Sequence, residues 1–232
     1  MKTSFLQQRI VPVFRAAAII VIVIATGLFL GAGVSQMVRA ATQQPADLPN
    51  DDIAAQAVRD WLRDTKSLKA DFLQQGADGQ AVRGELTLKQ PGQVRFEYEP
   101  SVELLIVARE GSIYFIDYEV KQVSRYPIKE TPLAPLLRPQ SLDEVPFRAV
   151  EITDGVGKGT LYVTSEDPEH REYGTLTMVF TRTGPKSVAL NAWSVLDGQG
   201  NLTQITLENV RENVDVASAT FKFKDPRRRA PR

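Results

Sequence analysis

The 232-residue chain contains no cysteine and a single histidine, His170, and its 28 basic residues balance its 28 acidic ones. Without cysteine there is no disulfide, no thiolate zinc site and no lipid anchor on an N-terminal Cys. One histidine excludes a Cys/His metal site and argues against a Ser-His catalytic triad. His170 sits in "SEDPEHREYG", which reads as an exposed turn between strands. Beyond the first forty residues there is no long apolar run, so the remainder must fold around its own core, for which about 190 residues are enough.

Those first forty residues are organised differently. Lys2, Arg9 and Arg15 precede "AAAIIVIVIATGLFLGAGV", and Val38, Arg39 and Ala40 follow with small residues at the third-last and last positions. That is the order of an export signal, so residues 1–40 are expected to be removed and the rest to end up outside the cytoplasm. Uncleaved, residues 16–34 are long enough to anchor the chain in a membrane. The part after residue 40 holds 24 basic against 28 acidic residues, a mildly acidic balance that makes nucleic acid a poor partner. The exception is the end, where "KFKDPRRRAPR" follows Phe221 and reads as a solvated basic tail with potential for electrostatic contact.

Residues 41–49 form a Pro/Gln/Ala linker, and Asn50 is placed to cap a helix with Asp51 and Asp52 in its first turn. Ile53, Ala57, Trp61 and Leu62 recur at helical spacing, with Arg59, Asp60, Arg63 and Asp64 turned away. From Ser67 the period becomes two, and about eleven short strands follow at hairpin spacing, punctuated by Asp78-Gly79, Pro91-Gly92 and Glu110-Gly111. The rhythm breaks once, at "PLAPLLRPQSLDEVP", where Pro132 suits a first helical turn and Leu133, Leu136 and Leu137 make a short apolar face. A meander of this length must close or curl to manage its edges. The expected fold is mainly β: an incomplete antiparallel β-barrel with an N-terminal helix and a short lid helix covering an apolar cavity.

No catalytic apparatus is visible. Gly155, Gly157 and Gly159 in "DGVGKGT" precede a strand, not a helix, and fit a hairpin turn better than a phosphate loop. Glu97 and Glu99 alternate with apolar residues and read as the wet side of a half-buried sheet. No metal spacing or cofactor motif occurs, so none is expected. What stands out is apolar: Phe96, Tyr98, Tyr114, Phe115, Phe147, Tyr162, Phe180 and Trp193 are spread over many strands. They read equally as an ordinary core or as part of a ligand cavity. In "RGELTLKQPGQVRFEYEP", Leu86, Leu88, Val94, Phe96 and Tyr98 would share one face of a hairpin.

Several spaced motifs then occur in order: "SLKADFLQQ", "GELTLKQPGQVRFEYEP", "LLIVAREGSIYFIDYEVKQVSRYPI", "TPLAPLL", "AWSVLDGQGNLTQITLENVREN" and "FKF". Together they resemble the periplasmic lipoprotein carrier family of the LolA type, over residues 53–224. The resemblance implies a non-enzymatic monomeric carrier. It would take the acyl chains of lipoproteins from an inner-membrane ABC-type release complex and hand them to an outer-membrane receptor of similar fold. It also implies that Leu86, Leu88, Val94, Phe96 and Tyr98 wall the cavity, with Leu133, Leu136 and Leu137 on the lid. In such proteins an arginine commonly precedes the motif's proline and latches the lid; here Gln90 stands there, after Lys89. An amide donates hydrogen bonds without charge, so a looser latch is expected. A periplasmic lipid- or lipoprotein-sensing regulatory binder of related fold is the alternative. An outer-membrane receptor of this fold would itself be a lipoprotein, which the missing cysteine opposes.

Overall fold

A computed structural model describes residues 52–138, 147–153 and 159–227. The expected signal, the linker, the Asn50 cap, Gly155, Gly157 and residues 228–232 lie outside them. Helix α1 (Asp52–Asp64) leads into β1 (Ser67–Gln75), β2 (Ala81–Lys89), β3 (Gln93–Tyr98), β4 (Leu104–Arg109), β5 (Ser112–Asp117) and β6 (Gln122–Pro127). A 3-10 turn and the one-turn helix α2 (Ala134–Leu137) follow, and then β7 (Phe147–Thr153), β8 (Gly159–Glu166), β9 (Thr175–Gly184), β10 (Ser187–Leu196) and β11 (Leu202–Glu212).

All eleven strands belong to one antiparallel sheet in the order β6-β5-β4-β3-β2-β1-β11-β10-β9-β8-β7. Every neighbouring pair is a sequence hairpin except β1 with β11, which joins the two meanders at the centre. The strands β6 and β7 remain edges, so the sheet does not close. The glycine-rich stretch at "DGVGKGT" joins paired strands, with Thr153 opposite Gly159, as a hairpin requires.

The period-two patterns place their apolar positions on the concave face. Buried residues alternate along β3, β8 and β9, and Leu86 and Leu88 do so on β2. Across this face lies α1, with Ala57, Val58, Trp61 and Leu62 buried and Arg59 and Arg63 in water, so the amphipathic reading of the helix is met. Its Trp61 ring meets Phe180 edge-on at 5.2 Å, and its indole N–H donates to Glu212 Oε1 at 2.7 Å.

Gly84 marks a close approach at the centre. It pairs with Phe72 across β1 and β2, and a methyl group there would lie 2.7 Å from the Phe72 ring and collide with the Glu97 carbonyl. Gly92, at φ +71°, supplies the left-handed residue that ends the "KQPG" turn.

On the convex side a second apolar cluster joins Leu105, Val107 and Ile116 to Val216 and Phe221, with Tyr114, Tyr118, Val123, Val214 and Phe223 at its margin. Residues 213–224 therefore form a strap over β3 to β6. Beyond Phe221 the basic side chains of Lys222, Lys224 and Arg227 are exposed, while the Phe223 ring packs on Tyr114 at 5.3 Å and Tyr118 Oη donates to the Lys224 carbonyl at 3.2 Å. The reason is that β4, "LLIVAR", is apolar on both faces and needs cover on both.

Candidate functional site: the concave face and its lid

The hairpin β2–β3 sets Leu86 opposite Phe96, Leu88 opposite Val94 and Gly84 opposite Tyr98. All five apolar side chains are buried on the same face, within the main core cluster. Aromatic rings continue the surface sideways. Tyr98 meets Phe72 at 5.2 Å, Phe72 meets Phe96 at 5.5 Å and Phe96 meets Trp193 at 6.1 Å, all near edge-to-face. A continuous aromatic band thus spans β3, β1 and β10.

The polar content of this face is small. Tyr98 Oη donates to Gln74 Oε1 at 2.7 Å, and burial pushes the phenol well above its ordinary pKa. No group of three or more His, Cys, Asp or Glu side chains that could hold a metal occurs among the described residues. His170 lies on the exposed turn, 3.0 Å from Glu172 and stacked on Tyr173, remote in character from this apolar face. Of the other aromatic residues singled out in the sequence, Phe115 and Phe180 are buried in the same core. Tyr114 instead faces the strap and Tyr162 is 40 % exposed, because each falls on the opposite parity of its strand. The side chain of Phe147 lies outside the described set.

The lid follows β6. Residues 131–137 are all buried, including Leu133, Leu136 and Leu137, although α2 itself has only four residues. Thr131 turns the chain by bonding back to the Ile128 carbonyl through both its amide and its hydroxyl. Pro135, not Pro132, occupies the first helical turn, where a missing N–H costs nothing. So short a helix has little stability of its own and depends on the apolar face beneath it.

Two polar contacts tie this lid to the β2–β3 turn. Gln90 Nε2 donates to the Leu136 carbonyl at 2.7 Å, and the Gly92 amide donates to the Leu137 carbonyl at 2.8 Å. Both satisfy carbonyls that a helix end leaves open. The remaining amide oxygen, Gln90 Oε1, is buried with no hydrogen-bond partner. The position singled out in the sequence thus does meet the lid, through one hydrogen bond from a neutral donor.

Two hollows among the described residues, of about 460 and 680 Å³, are lined by charged side chains such as Asp71, Glu85 and Arg83, together with Leu86 in the first and Phe72 and Tyr98 in the second. What the arrangement offers is an apolar surface, several strands wide, under a cover of small intrinsic stability. Such a surface suits a greasy ligand.

Comparison with known proteins gives the family. The family described as outer membrane lipoprotein carrier protein LolA matches residues 63–224. An outer-membrane lipoprotein carrier protein of Chromohalobacter salexigens is 27 % identical over 173 residues, 71 % of this chain and 80 % of the relative. One from Dechloromonas aromatica is 27 % identical over 183 residues, covering 75 % and 84 %. An uncharacterized protein of Rickettsia prowazekii is 25 % identical over 186 residues, covering 76 % and 79 %. Among solved structures, a LolA superfamily protein from Nitrosomonas europaea aligns at TM-score 0.45 and 9 % identity, over 76 % of this chain and 98 % of that one.

Proposed function

We propose a function from the premise that this chain belongs to the LolA family of outer membrane lipoprotein carrier proteins. It is a periplasmic carrier that shelters the acyl chains of lipoproteins. It receives them from an inner-membrane ABC-type release complex and delivers them, as a monomer, to an outer-membrane receptor. The acyl chains lie on the face of Leu86, Leu88, Val94, Phe96 and Tyr98, in the room vacated when Leu133, Leu136 and Leu137 lift away. Gln90 is the latch. One observation supports this most: beside the apolar wall sits a buried one-turn helix that, among the described residues, the Gln90 side chain and the Gly92 amide tie to the β2–β3 turn.

Magnitudes say why such a lid suits transfer. Each buried methylene contributes about 0.8 kcal/mol, so one long acyl chain is worth on the order of 10 kcal/mol. Closing the empty lid buries Ile128, Leu133, Leu136 and Leu137, each worth about 1.5–3 kcal/mol. The two sums are comparable. A single-chain amphiphile therefore gains little by opening the lid, whereas a cargo with two or three chains wins clearly. The same self-packing assists release, because the vacated face is never left wet. Binding shifts a closed–open equilibrium by its differential affinity for the open form.

The test is recovery of cargo. The exported protein, isolated from a periplasm and analysed by mass spectrometry, is expected to carry many different acylated lipoproteins. Phe96→Glu, checked for folding by circular dichroism, is expected to lose them, since acyl chains cannot cover a carboxylate cheaply. Wild-type retention by that variant would remove the wall assignment. A single recurrent protein partner instead of many would favour a sensor.

A further inference from the structure

Lys89 and Gln90 are consecutive, and they serve opposite faces of the sheet, as neighbours on an extended chain must. Gln90 reaches the lid on the concave side. On the convex side Lys89 Nζ donates to the Val216 carbonyl at 2.6 Å, at the start of the strap. The segment after α1 knits the two together. The Gln90 amide donates to the Lys66 carbonyl at 2.8 Å, and the Lys66 amide donates to Asn213 Oδ1 at 2.8 Å. The Asn213 amide donates to the Ser67 carbonyl at 2.7 Å, and the Ser67 hydroxyl donates to the Val214 carbonyl. Ser67 in turn pairs with Lys89 in the β1–β2 ladder. Three segments, at 65–67, 89–92 and 213–216, are thus held by one continuous set of hydrogen bonds, and the lid hangs from one of them.

From this geometry we propose that Lys89 is a positioning residue for the lid: it transmits the seating of the C-terminal strap to the Gln90 latch. The significance for transport rests on the carrier reading above; the coupling itself does not. With the strap seated, Lys89 and the Lys66 carbonyl fix the Gln90 backbone so that its side-chain Nε2 points at the Leu136 carbonyl. With the strap start released, Lys89 loses its acceptor and Lys66 loses the Asn213 side chain. The turn carrying Gln90 is then free to shift, and the lid loses its side-chain tie. A partner that lifts residues 213–216 from the outer face thereby loosens the lid on the inner one, without entering the acyl site.

The experiment is amide hydrogen exchange on the empty protein, read by NMR at Gly92, Leu137 and Arg138, whose amides donate to Leu137, Leu133 and Ala134. Lys89→Met keeps the apolar stem and removes the donor. Asn213→Gly removes the side-chain acceptor without opposing the backbone, since Asn213 already holds φ +53°. Each is expected to raise lid exchange about fivefold, the size of one lost hydrogen bond. Lys89→Arg, which keeps a donor, is expected to restore the wild-type rate. In a Gln90→Ala background, Lys89→Met is expected to add nothing, because its path is already cut. Unchanged lid exchange in both single variants overturns the proposal, and so does an equal increment with and without Gln90. Because no cargo is present, the outcomes separate. A protein that shows the coupling but retains no lipoprotein defeats the carrier reading alone.

Discussion

The sheet wears two covers, and they are built on opposite plans. The lid is greasy and thinly tied: seven consecutive buried residues, and two hydrogen bonds to the β2–β3 turn. The strap is mostly exposed between two deep anchors, Val216 and Phe221, and polar ties run along its whole length. Besides Lys89 and the Ser67 hydroxyl, Arg95 donates to the Thr220 and Lys222 carbonyls at 3.4 and 3.2 Å, and Tyr118 to that of Lys224. An apolar contact can be exchanged for another apolar contact at little cost, whereas directional bonds fix one geometry. The lid is therefore the cover a lipid can replace, and the strap is the one that stays. The faces beneath differ accordingly: aromatic and several strands wide under the lid, confined to β4–β6 under the strap.

The largest test of this contrast compares the anchors. Phe221 is 1 % exposed, and Phe221→Ala is expected to lower global stability by about 3–5 kcal/mol, the usual range for deleting a buried ring. Leu136→Ala, almost as deeply buried, is expected to cost about 1 kcal/mol globally because the lid opens before the sheet unfolds. Denaturant unfolding measures both. Equal losses would mean that the lid is as integral as the strap.

A smaller effect is expected at the latch. Gln90→Arg replaces a neutral donor by a charged one, which strengthens a hydrogen bond to a carbonyl by about 1 kcal/mol. Loading of a fluorescent diacyl probe, followed by stopped flow, is expected to slow about fivefold. Identical rates would remove Gln90 from the latch role.

The smallest effect belongs outside both covers. Hydrogen bonding to Glu172 raises the His170 pKa above its ordinary value, and His170 lowers that of Glu172. The sign follows: this contact favours the fold while His170 is protonated, below its unfolded pKa, and the benefit fades as pH rises through the folded value. The pair is fully exposed, so melting is expected to be almost flat across that range. The NMR titration of this single histidine is expected to fall back toward the ordinary value in Glu172→Gln. A pH-dependent lid would instead point to a titrating group nearer the site.

Much of the inner surface was legible because side-chain direction is a local property. Alternation in "GELTLK" and "QVRFEY" assigned Leu86, Leu88, Val94, Phe96 and Tyr98 to one face, and all five are buried there. The same rule, applied strand by strand, separates Tyr114 and Tyr162 from the core aromatics; composition alone had grouped them together. The apolar lid could be read from Leu133, Leu136 and Leu137, but its helix is shorter than its buried stretch. The outer surface was harder. The continuous run "LLIVA" carried the signal that β4 needs cover on both sides, yet nothing local identified the cover as residues a hundred positions further along. Lys89 and Asn213 gave no pattern at all, since their partners are backbone carbonyls and amides.

Strand number, hairpin order and face assignment were therefore legible in the sequence, through periodicity and turn residues. The pairing of β1 with β11 was decided only by the tertiary structure, and with it the meeting of the strap, the lid and the end of α1 at Lys66, Lys89 and Asn213. The physical reason is range. Alternation is set by adjacent peptide units, whereas a cover depends on which distant apolar segment can bury a face that the sheet leaves in water.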